Sequence, residues 1–168
     1  VTRVADDRPI VGRTIESVSA RGKHLLIAFS GDLILRTHMR MNGSWHIYPA
    51  GARWQRPPHE MRVLVGTRDA VAVGFNVPVA ELLTARMLAQ HRQLRALGPD
   101  LLSDAAGSPG SGHQPFDRLE VIRRLRGHGG DAVADALLNQ RVVAGIGNVF
   151  KSEILFLAGI DPFTPVAS

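Results

Sequence analysis

Four residues in one short stretch have the types and spacing to hold an anion: Gly145, Gly147, Asn148 and Lys151, within Ala144-Gly-Ile-Gly-Asn-Val-Phe-Lys151. Two glycines one residue apart free the backbone to take positive φ, and an asparagine after them suits the N-cap of a helix. The amides from Gly147 to Phe150 then face outward at a helix N-terminus, with the partial positive charge of the helix dipole behind them. Lys151 falls in the first turn, where a cation opposes that dipole. Its placement makes sense if an anion is expected there, and phosphate is the natural candidate. A second ammonium, Lys23, stands in Arg21-Gly-Lys-His24, where Gly22 suits a hairpin turn. A flexible amine on a rigid hairpin supplies a phosphate point charge or a proton donor. Both strings also fit blander roles, a helical hairpin with a Gly-rich turn and a solvated surface lysine.

The elements that would carry these groups follow from periodicity. Ala132, Val133, Ala136, Leu137 and Leu138 recur at helical spacing, and Val142 and Val143 break the period. A second helix is predicted from Asn148, with Phe150, Ile154 and Leu157 as its buried stripe and Gly159 and Pro162 as its stop. Upstream, short apolar runs bounded by turn residues predict strands: Ile10 to Val18, His24 to Phe29, Leu33 to His38, Ser44 to Tyr48, Met61 to Val65, Ala70 to Phe75 and Val77 to Leu83. Met39 to Gly43 is predicted as a loop, closed by Asn42-Gly43. From Phe116 the pattern is helical, with Leu119, Val121, Ile122 and Leu125 first. The fold class expected is α+β: an antiparallel β-sandwich over 1–102, a Gly/Ser/Pro-rich linker over 103–115 and a helical half over 116–168.

Composition sets bounds on what such a chain can do. Of 168 residues 45% are hydrophobic, enough for a core, and no apolar run approaches the ~18 residues of a membrane span. There is no cysteine, so neither a disulfide framework nor a thiolate metal site is available, and the seven histidines show no close ligand spacing. No metal ligand is assigned. The net charge of +5 is carried almost wholly by arginine, with Lys23 and Lys151 the only lysines. That balance fits a polyanionic partner as well as it fits plain surface charge.

The stretch from Asp135 to Pro162 resembles the helix–two-turn–helix element of the formamidopyrimidine-DNA glycosylase/endonuclease VIII family, where Leu-Leu-(Asp/Asn)-Gln precedes a Gly-x-Gly-Asn turn that clamps the phosphates of a damaged strand. Here Leu137-Leu-Asn-Gln140 and Gly145-Ile-Gly-Asn148 carry the match. Arg21-Gly-Lys-His-Leu-Leu26 is similar to the family hairpin whose lysine assists elimination, and His38-Met-Arg-Met-Asn-Gly-Ser44 to the family loop of form His-x-x-Met-x-Gly-Ser. The resemblance implies that Lys23 assists catalysis and that Met41 enters the gap left by a flipped nucleotide, although Met41 packed under its own loop is the plainer alternative. It implies that Gly145, Gly147, Asn148 and Lys151 bind phosphate, and His59, a looser match, likewise.

What the resemblance implies for activity is a bifunctional DNA glycosylase/AP lyase of base excision repair. It would remove oxidised bases through a Schiff base and cleave the strand by β- or β,δ-elimination. The segment Gly74-Phe-Asn-Val-Pro-Val-Ala-Glu81 lacks the family's Asp-Pro-Arg-Arg-Phe wedge, which points to the endonuclease VIII branch and to oxidised pyrimidines. The family's N-terminal Pro-Glu and its C-terminal finger, zinc-bearing or zincless, are not in the sequence. The chain is therefore expected to be a fragment, inactive alone, with no cofactor of its own. A monomer is expected, acting on damaged double-stranded DNA without membrane association, in the cytoplasm at the bacterial nucleoid. Two rivals stay open: a non-catalytic damaged-DNA-binding protein, and a ribosomal or topoisomerase-type protein with a similar helical motif. The Lys23 hairpin and the Met41 loop, at the family's order and spacing, argue against the second.

Overall fold

The computed structural model describes residues 9–103 and 116–167. Among the described residues seven strands occupy the first part: β1 (Ile15–Arg21), β2 (His24–Phe29), β3 (Leu33–His38), β4 (Ser44–Pro49), β5 (Met61–Gly66), β6 (Ala70–Phe75) and β7 (Val79–Leu83). They form two antiparallel sheets, one ordered β1-β2-β3-β7 and the other β4-β6-β5. One apolar cluster draws on both sheets, with Ile27, Phe29, Leu35 and Ala80 from the first and Val65 from the second. That shared interior makes the pair a face-to-face packing. A polar tie crosses it as well: the Trp45 indole N–H of β4 donates to the fully buried Thr37 hydroxyl of β3 at 3.3 Å. Such a group is tolerated inside because its partner is present.

Tight turns set the strand register. Gly22 takes φ 57° and opens the two-residue turn from β1 to β2, with Lys23 in the second place, the sign pattern of a type II′ hairpin. Predicted β2 and β3 match the observed bounds. Strand β1 begins at Ile15 rather than Ile10, because residues 9–12 are turns and Gly12 takes φ 74°. Strand β7 begins at Val79 rather than Val77: Asn76 is left-handed, φ 49°, and proline at 78 has no N–H for a ladder.

Among the described residues five helices follow: α1 (Ala85–Gln90), α2 (Arg92–Arg95), α3 (Arg118–Arg126), α4 (Val133–Leu138) and α5 (Asn148–Ala158). The chain divides into two compact units, 1–88 and 89–168. Residues 89–102, expected with the strands, therefore group with the helices. Backbone pairing explains the change, because Gly98 N–H donates to Gln140 O at 2.8 Å and Ala144 N–H to Pro99 O at 2.9 Å. A Cβ at Gly98 would collide with the Val142 carbonyl, so only glycine permits that approach. The predicted linker, 103–115, lies outside the described residues except for Ser103.

In the second unit the most deeply buried apolar residues are Leu94, Ala136, Val142, Val143 and Ala144. Val142 and Val143, which interrupt the helical period, are thus core residues of the turn itself. The N-terminus of α4 has no side-chain cap. Its amides at Val133 and Ala134 donate instead to Thr164 O and Pro162 O, from chain returning after α5. The predicted stripe on α5 is corrected: Phe150, Ile154 and Leu157 are 68, 41 and 81% exposed, while Leu155 is 4% exposed. Apolar residues occupy several faces of α5, including Val149 and Phe156, so spacing alone does not select the face that meets α4.

Candidate nucleic-acid interface

In the first unit, Lys23 sits at the tip of the β1–β2 turn, partly buried, and that burial pushes its pKa below the usual lysine range. Next to it in sequence is His24, whose cross-strand partner is His38, with ring centroids 4.6 Å apart. The His38 pKa is lowered by burial first, then by the positive charges of Arg36, Arg40 and Lys23. His38 Nδ1 accepts the Arg40 backbone N–H at 3.1 Å, which leaves the ring proton of the neutral form on Nε2.

The Met41 loop leaves β3 at His38 and rejoins the second sheet at Ser44. It closes through Gly43 N–H to Met39 O at 3.0 Å, and Arg40 is held left-handed at φ 50°. A left-handed arginine is uncommon and is kept only where the surroundings demand it. The result is a tip with Met41 94% exposed, so packing under the loop does not describe it. Met41 and Arg40 stand on the rim of a cleft of about 1020 Å³, lined also by Arg56, Arg62, Asn76 and Pro78. Arg56 is occupied by Glu60 at 3.0 Å and by the Ser44 hydroxyl at 3.0 Å. Asn76 donates to Glu60 at 3.1 Å. His59 is exposed on a short 3-10 turn, Pro58–Glu60, and its carbonyl accepts from Arg62 at 2.8 Å.

In the second unit the Gly-rich turn has a built geometry. Gly145 takes φ 101°, whereas Gly147 is extended at φ −109°, ψ 176°, so only the first glycine uses the left-handed region. Gly147 rather than Asn148 is the N-cap of α5, and no side chain caps the helix. Lys151 N–H is the first amide of the helix to reach a backbone carbonyl, Gly147 O at 2.9 Å. The three amides ahead of it, at Asn148, Val149 and Phe150, are the donors a helix start leaves over. Exposed Asn148 accepts through Oδ1 from Lys151 Nζ at 3.3 Å. The turn thus brings Gly147, Asn148 and Lys151 to one helix end, as the sequence predicts.

Gln140 is a residue whose role the motif spacing does not disclose. Its Nε2 donates to Leu138 O and Ile146 O, both at 2.9 Å, and its Oε1 accepts the Gly145 N–H at 3.1 Å. One side-chain amide, through its paired donor and acceptor, therefore braces both sides of the turn. Gln140→Ala is expected to cost about 2–3 kcal/mol in urea unfolding, from three lost bonds at about 1 kcal/mol each. A loss under half a kcal/mol would mean the turn stands without it. Among the described residues no cluster of three or more His, Asp or Glu is placed to hold a metal, and no helix is long and apolar enough to cross a membrane.

Two domain models match the chain: the formamidopyrimidine-DNA glycosylase N-terminal domain over residues 3–78 and the formamidopyrimidine-DNA glycosylase H2TH domain over 109–168. A probable endonuclease 8 2 of Streptomyces coelicolor is 42% identical over 158 residues, covering 94% of this chain and 53% of its own. The DNA-(apurinic or apyrimidinic site) lyase Nei2 of Mycolicibacterium smegmatis is 32% identical over 157 residues, 94% of this chain and 56% of that protein. The chain spans about half the length of the curated relatives it matches. Among solved structures, the Lactococcus lactis Fpg (MutM) complex with FAPY-dG-containing DNA superposes with a TM-score of 0.76 at 23% identity, over 96% of this chain and 57% of that one. That likeness carries the fold: antiparallel sheets followed by helices.

Proposed function

The chain belongs to the formamidopyrimidine-DNA glycosylase/endonuclease VIII family, and within it we propose that the protein serves base excision repair as a DNA glycosylase and AP lyase acting on oxidised pyrimidines. The observation that carries this reading is the Lys23 turn, a partly buried ammonium on a rigid hairpin, on the same sheet unit as an exposed Met41 tip. In the reading, a proline amine at the N-terminus of the natural product attacks C1′ of the damaged nucleotide as the C1′–base bond breaks and the base leaves with a proton, and opening of the C1′–O4′ bond, with O4′ taking a proton, gives an iminium. The iminium serves as an electron sink and acidifies C2′ for elimination. Lys23 moves protons to or from the sugar and phosphate. Gly145, Gly147, Asn148 and Lys151 hold phosphate, and His59 adds an exposed imidazole. The pyrimidine preference is supported by the Asn76-Val77-Pro78 corner, which is tied to Glu60 and bears no arginine–phenylalanine pair.

Borohydride trapping on an abasic duplex tests the activity, because reduction of the Schiff base leaves a permanent protein–DNA adduct. The natural gene product is expected to trap and the 168-residue chain to bind but trap poorly. A gene product that binds abasic DNA and never traps would be a damage-binding protein instead.

The Met41 tip has its own test. Met41→Ala is expected to leave thermal stability unchanged, since a 94% exposed side chain buries almost nothing. Affinity for a duplex with an abasic analogue should fall by roughly tenfold, and affinity for intact duplex by much less, because only the former has a hole for an apolar wedge. Equal losses on both duplexes would remove the wedge role.

A further inference from the structure

Arg36 is the largest fully buried side chain among the described residues, 1% exposed in the middle of β3. Its two guanidinium ends serve different strands. Nη1 meets Glu81 of β7 at 2.6 Å, and Nη2 donates to His24 Nδ1 of β2 at 3.2 Å. His24 follows Lys23 in sequence, and its ring leans on His38 at 4.6 Å. His38 in turn accepts the N–H of Arg40, the left-handed residue that raises Met41. A path of polar contacts joined by one ring contact therefore runs from Glu81 through Arg36, His24 and His38 to the base of the Met41 loop, with Lys23 next to His24 in sequence.

We propose that Arg36 is a positioning residue that couples the Lys23 turn to the Met41 loop through the His24–His38 imidazole pair. The coupling of elements stands on structure alone; its meaning for catalysis rests on the reading of Lys23 and Met41 given above.

A buried ion pair is a poor source of net stability, since taking both charges out of water offsets most of their attraction. An apolar residue would fill a strand interior more cheaply. What an arginine adds is a planar fork that fixes two partners at once, which neither lysine nor an apolar side chain can do. Because an arginine only donates, it requires His24 Nδ1 to be an acceptor. The backbone donor at Arg40 imposes the same on His38 Nδ1. Both rings are thereby held with an unprotonated Nδ1. His38 faces positive charge from Arg36, Arg40 and Lys23 and is packed on the His24 ring. Its neutral state and its grip on the Arg40 amide are therefore one property: a proton on Nδ1 would break the bond that seats the loop.

The chain itself, without DNA, suffices for the first test. In nitrogen-15 spectra of the imidazoles, His24 and His38 should both show an acceptor Nδ1 and a protonated Nε2. Arg36→Met should disturb the His24 signal and raise the His38 midpoint by roughly half to one pH unit, as one of its cationic neighbours is lost. It should also speed amide exchange at Arg40 by about tenfold, as the loop base loosens. If Arg36→Met does not fold, Arg36→Lys substitutes for it. There the retained charge keeps the His38 midpoint low, while the lost fork still speeds Arg40 exchange. Unchanged exchange at Arg40 in the folded variant overturns the proposal. The second test uses an abasic-analogue duplex. With Arg36 present, the affinity losses of Lys23→Ala and Met41→Ala should be non-additive by threefold or more, and in the Arg36→Met background they should multiply. Coupling that persists without Arg36 overturns the linkage. A chain that ignores abasic DNA while its Arg40 exchange still responds to Arg36 rejects the functional reading and leaves the network intact.

Discussion

Lys23→Ala in the natural gene product is expected to slow cleavage of an abasic strand by about a hundredfold or more, the scale of a lost general acid or base, while a borohydride adduct still forms. The two readouts separate because they report different groups. The adduct reports the attacking amine, proposed to be an N-terminal proline, whereas strand cleavage reports the proton transfers that follow. Burial lowers the Lys23 pKa, so the ammonium is lost at a lower pH than in an ordinary lysine. If the ammonium is the working form, the alkaline limb of the cleavage profile lies below the usual lysine value and disappears in the variant.

Stability should move the other way from activity. A cation whose folded pKa is depressed burdens the folded state below that pKa, and the burden is relieved as pH rises through it towards the unfolded value. Removing Lys23 therefore should not destabilise the chain at neutral pH. Should Lys23→Ala abolish the adduct while changes at the N-terminus leave it, Lys23 is the nucleophile and the assignment of roles is wrong.

The parts of this molecule that were legible in its sequence are those specified by local pattern. Strands β2 and β3 lie where two short apolar runs are bounded by Gly22 and by Gly31-Asp32, and their bounds match. The Gly145 turn and the Gly159 C-cap, left-handed at φ 64°, follow from glycine chemistry. What local pattern cannot hold is which of several apolar faces finds a partner. Helix α5 offers Phe150, Ile154, Leu155, Phe156 and Leu157, and tertiary contact chooses Leu155. The boundary between units failed for a related reason, since Gly98 and Pro99 are tied to Gln140 and Ala144 by backbone bonds between residues more than forty positions apart. Helices α1 and α2 are short and lie in a stretch of ordinary helix formers with no periodic apolar stripe. Lys23 and Met41, the residues proposed for the site, could be singled out one by one from their strings. The buried link could not, because Arg36 in Leu33-Ile-Leu-Arg-Thr-His38 reads as an outward strand position until Glu81 and His24 are brought to it.

The helix start at Asn148 carries the other large effect. Lys151→Ala should weaken binding to damaged and intact duplexes alike, and lower the slope of log affinity against log salt by about 0.9, the value for one phosphate contact. Asn148→Ala should cost about 1–3 kcal/mol, about 5- to 150-fold in affinity, as a charge-assisted contact to phosphate is lost. The structure adds a coupling between the two. In the free protein Asn148 Oδ1 accepts from Lys151 Nζ at 3.3 Å, so each side chain is held over the helix end by the other. Either single variant then loosens the remaining partner, and the double variant should lose less than the sum of the singles. The salt slope distinguishes the contributions, because only the lysine releases a counterion. Gln140→Ala, which unbraces the turn from behind, should weaken binding without changing that slope. Wild-type affinity and slope in both single variants would take the clamp away from this turn, and strict additivity would mean the Asn148–Lys151 contact does nothing to prepare it.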